Sequence, residues 1–217
     1  MLRNDTDLNS KVLCAILLMS VGALSSVFAV DATYVGTEKC KNCHSSEKKG
    51  DQYDKWTQTL HSKAFADLIS DEGKKLAKEK NIDDPQKNAS CVKCHVTAFD
   101  APASAKGKKF DLTLGVQCET CHGPGSKHVE ERLKADEPED DKIVELPAGE
   151  IIGKPTSETC RKCHNKDSPN YKPFAFNKFL RQNAHLDPRK KRPADYLDKL
   201  PDEPTDDPDA AKTVFKK

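Results

Sequence analysis

Cys-x-x-Cys-His occurs four times in this chain, as Cys40-Lys41-Asn42-Cys43-His44, Cys91-Val92-Lys93-Cys94-His95, Cys118-Glu119-Thr120-Cys121-His122 and Cys160-Arg161-Lys162-Cys163-His164. Two thiols three positions apart can bond the two vinyl groups of one porphyrin, and the histidine that follows then reaches the iron. Each copy reads as a c-type haem attachment site. Cys40, Cys43, Cys91, Cys94, Cys118, Cys121, Cys160 and Cys163 are the expected covalent anchors, and His44, His95, His122 and His164 the proximal iron ligands. Structural zinc competes with this reading, because paired thiols also build tetrahedral sites. Zinc, however, has no need of a histidine directly after every pair. All eight cysteines beyond residue 30 fall into the pattern.

Four haems make the composition intelligible. The chain is 35% apolar and 33% charged, with a mean hydropathy of -0.77. Such a chain has little to bury against the entropy of ordering it. Porphyrin faces supply the missing apolar surface, with about 47 residues for each haem. The expected architecture is mainly α with extensive loops, one compact multihaem cytochrome c fold built around four covalent haems. The formal charge of +1 is offset by the haem propionates, which bring the oxidised holoprotein to about -3 and argue against a nucleic-acid partner.

The N-terminus agrees with the chemistry. Met1 to Lys11 is polar with Arg3 and Lys11, Val12 to Leu24 is mainly apolar, and Val27-Phe28-Ala29 offers small residues at signal-peptidase positions. Residues 1–29 read as a cleaved secretory signal. The apolar run is too short for a stable membrane span, and Cys14 within it reads as a discarded apolar residue. Haem attachment outside the cytoplasm and export agree, so the expected location is the periplasm or the extracellular space. Residues 30–194 form the expected haem domain. Residues 195–217 read as an acidic, flexible tail.

Within the haem domain, the spacing of Tyr53, Trp56, Leu60, Ala64 and Leu68 predicts a helical stretch over Gly50 to Lys80. Shorter helices are predicted over Ser126 to Lys134 and Pro173 to Ala184, with Gly123-Pro124-Gly125 as a turn and Asp136 to Asp141 as an acidic loop. The segments between attachment sites are unequal and do not resemble one another. This favours one irregular fold over a solenoid of repeats.

Histidine arithmetic bears directly on function. The chain has seven histidines, four of them proximal, which leaves His61, His128 and His185 as candidate distal ligands. Both methionines, Met1 and Met19, leave with the signal. Four irons and three distal histidines leave one iron short of a ligand. Imidazole pairs imply lower potentials than methionine-histidine ligation.

Three stretches carry a family resemblance: Trp56-Thr57-Gln58-Thr59-Leu60-His61-Ser62-Lys63-Ala64; Cys91-Val92-Lys93-Cys94-His95-Val96; and Gly115-Val116-Gln117-Cys118-Glu119-Thr120-Cys121-His122-Gly123-Pro124-Gly125. With these the chain resembles the tetrahaem cytochrome c-554 family, first known as the electron carrier of ammonia oxidation. The acidic tail has no clear counterpart there. The resemblance implies three bis-histidine haems and a five-coordinate, high-spin second haem held by His95. It further implies that His128 is distal to the first haem, His61 to the third and His185 to the fourth.

The function expected from the residues and the resemblance is that of an electron carrier, with no catalytic residues. It passes single electrons between a redox-protein donor and an acceptor through stacked haems. Two other classes stay open. One is a reductase of nitric oxide or another nitrogen species at the open iron, and the other is a subunit of an extracellular cytochrome filament. The oligomeric state is unknown from sequence.

Overall fold

The computed structural model describes residues 32–135, 143, 145–169 and 171–201. The expected signal segment, the Asp136 to Asp141 loop and the tail beyond Pro201 lie outside the described residues. Among the described residues the fold is helical and has no strand; one isolated bridge joins Tyr34 to Lys106. No described helix is long and apolar enough to cross a membrane.

Four short helices lead to the second attachment site: α1 (Thr37–His44), α2 (Gln52–Thr57), α3 (Leu60–Asp67) and α4 (Asp71–Glu79). α5 (Ala89–His95) and α6 (Cys118–His122) carry the second and third attachment motifs, and α7 (Ser126–Lys134) follows at once. α8 (Ser157–Arg161) opens the fourth motif and α9 (Phe176–Asn183) lies beyond it. α7 has the predicted bounds, and α9 is the core of the predicted Pro173 to Ala184 helix.

The single stretch expected over Gly50 to Lys80 is three helices instead. Hydroxyl groups compete for the backbone at the first break. The Thr59 hydroxyl donates to the Trp56 carbonyl at 2.7 Å, and Ser62 Oγ lies 2.9 Å from the carbonyls of Thr57 and Thr59. Thr59 is extended, so the helical phase restarts at Leu60. That displaces Leu60 from the expected apolar stripe, and it is 78% exposed. Ser70 makes the second break by capping α4, accepting from the Gly73 N–H at 3.1 Å.

Apolar burial is sparse. Leu68, Ala77, Val92, Val96, Val116 and Phe174 are the buried hydrophobic residues among those described. Leu68, Val92 and Val96 cluster under Phe65 and Cys91. The largest fully buried side chains are polar: Gln117, Thr37 and Thr97. They form one network, in which the Gln117 Oε1 accepts from the Thr37 N–H at 3.0 Å and the Thr97 hydroxyl oxygen accepts from the Gln117 N–H at 2.7 Å. Buried polar groups persist only when so satisfied.

Among residues 195–201, which the expected tail includes, the carbonyls of Leu197, Leu200 and Pro201 accept hydrogen bonds from α9. Asn177 Nδ2 donates to the Pro201 carbonyl at 2.6 Å, and Arg181 Nε to the Leu197 carbonyl at 3.0 Å.

Candidate haem-binding centre

Short helices suit the attachment motif, because residues i, i+3 and i+4 share a helix face. α1, α5 and α6 each end on the histidine of a motif. α8 ends sooner, yet the His164 N–H still donates to the Cys160 carbonyl at 3.0 Å and keeps the same spacing. Gly123 stops α6 immediately after His122 with φ +80°, a conformation glycine adopts without strain.

The histidines meet in twos. His44 and His128 stand 6.2 Å apart between ring centres, His61 and His164 6.0 Å, and His122 and His185 5.9 Å. A nitrogen-to-metal bond of about 2 Å on each side sets the centres of two trans imidazoles about 6 Å apart. The residues therefore fit bis-histidine haem. His95, among the described residues, faces no second imidazole.

The first pairing agrees with the resemblance, whereas the other two are exchanged. His61 faces the fourth-motif His164, and His185 faces the third-motif His122. The end of α9 explains the exchange. Asn183 lies between the two pairs, with its side chain beside His61 and its carbonyl accepting the His185 Nδ1–H at 2.9 Å. On the His61 side, His164 stacks on Phe174 at 4.9 Å, and Phe174 on Phe179 at 5.1 Å.

Ring orientation is set from outside the motifs. His95 donates its Nδ1–H to the Ala64 carbonyl at 2.6 Å, and His122 to the Ile152 carbonyl at 2.5 Å. His128 donates to Glu150 Oε1 at 2.6 Å, and Arg132 donates to Glu150 Oε2 at 2.9 Å. Each bond leaves Nε2 free, the tautomer a metal ligand needs. Burial holds His44, His61, His122, His164 and His185 below the ordinary imidazole range, so these rings stay neutral. Ala64, Glu150 and Ile152 were not found as site residues from sequence. Ala64 at least closes the Trp56 to Ala64 motif; no local pattern marks the other two.

Packing brings the motif helices together: α1 lies against α6, and α6 against α8. Glu119 locks the first of these junctions. Its carboxylate accepts from the N–H groups of Val35 at 2.9 Å, Gly36 at 2.8 Å and Gly125 at 2.6 Å. Burial pushes its carboxyl group up and these N–H groups oppose the shift. The same bonds supply an acceptor to the start of α1, where no local side chain caps the helix.

Comparison with known proteins agrees with the attachment motifs. The family model described as cytochrome c554 and c-prime matches residues 39–123, which span the first three attachment motifs. Cytochrome c-554 of Nitrosomonas europaea is 29% identical over 164 residues, covering 70% of this chain and 67% of that protein. No solved structure matches. The chain is thus similar to cytochromes of the c-554 family, whose haem chemistry the four attachment motifs fit.

Proposed function

We propose that this is a periplasmic tetrahaem electron carrier, exported by residues 1–29 and carrying its haems on residues 30–194. The observation that carries the proposal is the three imidazole pairs spaced 5.9 to 6.2 Å apart. Haem c, when bound, supplies a one-electron couple whose potential the protein tunes. Cys40, Cys43, His44 and His128 would hold the first haem; Cys118, Cys121, His122 and His185 the third; Cys160, Cys163, His164 and His61 the fourth. Cys91, Cys94 and His95 would hold the second, for which the chain offers no facing histidine among the described residues.

Helix packing supports an order of neighbours. α1 lies against α6, which joins the first centre to the third, and α6 lies against α8, which joins the third to the fourth. Electrons from a redox-protein donor would leave to an acceptor through centres placed side by side in this way.

Reduction of a small molecule at the His95 centre is the second reading, favoured by the lack of a facing imidazole. Val96 belongs to the Leu68 and Val92 cluster, and Phe99 is 36% exposed. Both proposals rest on the same ligand set, which carbon monoxide binding tests. The reduced holoprotein should bind one equivalent, and His61→Ala, His128→Ala and His185→Ala should each add one more. Four low-spin irons with no carbon monoxide difference spectrum would exclude the assignment. Steady-state turnover of nitric oxide by the purified protein then separates enzyme from carrier.

A further inference from the structure

The histidines with resolved Nδ1 partners are not equivalent. His95, His122 and His185 donate to backbone carbonyls, whereas His128 donates to a carboxylate. Glu150 is a poor candidate for a chance contact. Its side chain is 2% exposed, and it is reached across 22 positions of sequence. A buried carboxylate needs compensation on both oxygens. His128 takes Oε1, and Arg132, four residues along the same face of α7, takes Oε2.

We propose that Glu150 is a positioning residue for the first haem. It fixes His128 as the Nδ1–H tautomer, aims Nε2 at the iron, and makes this imidazole a stronger donor than its carbonyl-partnered counterparts. A carboxylate drawing on the Nδ1 proton shifts electron density to Nε2, which stabilises ferric over ferrous iron. Glu150 thereby lowers the reduction potential of that haem. Arg132 holds the carboxylate in place and limits how much of its charge reaches the ring. The inference rests on His128 being a ligand, as proposed above.

The test is a redox titration of the four-haem Glu150→Gln holoprotein, with each haem resolved by EPR, beside wild type and His128→Ala. His128→Ala identifies the haem concerned by turning it high-spin. Glu150→Gln should change the ferric/ferrous equilibrium of that same haem by about tenfold towards ferrous, about 59 mV for a one-electron couple. Conversion of that haem alone to high spin would equally support the positioning role. An unchanged potential, or one equal shift at all four haems, overturns the inference while leaving the ligand assignment intact. An unchanged low-spin count in His128→Ala overturns both. If Glu150→Gln does not load four haems, NMR of the reduced wild-type protein decides. The His128 Nδ1–H proton should resonate further downfield than that of His185, and a position no further downfield overturns the inference.

Discussion

Glu119 illustrates how much a single side chain between two cysteines can organise. By spacing it is one of the two variable positions of an attachment motif, and nothing in Cys118-Glu119-Thr120-Cys121-His122 distinguishes it from Lys41 or Lys93. In the fold it is 2% exposed and accepts three backbone N–H groups, two from the distant Val35-Gly36 segment and one from Gly125 in the turn six residues on. Glu119→Ala leaves those donors buried without a partner, at about 1–3 kcal/mol each. The expected loss is about 3 kcal/mol or more, read from denaturant unfolding of the fully loaded protein. A loss below about 1 kcal/mol would mean that water or a rearranged chain replaces the carboxylate. The seven histidines were all legible as candidate ligands, because ligand chemistry restricts the residue types. Which histidine faces which was not, because His61 and His185 lie far in sequence from their partners.

At the scale of elements, two stretches that resemble the family meet in space. Val116 is clamped by its backbone: its N–H donates to the His61 carbonyl at 3.0 Å, and its carbonyl accepts from Trp56 Nε1 at 2.9 Å. The Trp56 to Ala64 stretch therefore works as a bracket for the segment leading into the third attachment site. Gly115 makes the close approach possible. A Cβ there would lie 2.8 Å from the His61 carbonyl oxygen, and its φ of +73° already disfavours other residues. Gly115→Ala should cost more than about 1 kcal/mol and shift His61, so thermal unfolding should occur earlier and a high-spin signal should grow. Unchanged melting with three intact low-spin signals would count against the bracket. Helical periodicity located this region but did not divide it, since the breaks arise from Thr59, Ser62 and Ser70 hydroxyls.

At the scale of the whole molecule, the described fold buries six hydrophobic residues, too few to hold a chain of this length by side-chain contacts alone. Haem attachment and folding should then be coupled. Chain produced without haem should show little helical circular dichroism, whereas the exported holoprotein should carry four haem additions by intact mass and no titratable thiol. A helical, cooperatively melting apo chain would refute the coupling. The expected anchors, the expected proximal ligands and the shortage of distal histidines for four attachment motifs were legible from residue types and their spacing, because thioether attachment and histidine ligation are local chemistry. The same holds for α7, bounded by its Gly-Pro-Gly turn. Only the tertiary structure decided that His61 faces His164, that His185 faces His122, and that Glu150 and Ile152 orient two of the rings. Those pairings depend on where α3, α9 and the 150–152 segment come together, and long-range contacts of that kind leave no periodic trace in the sequence.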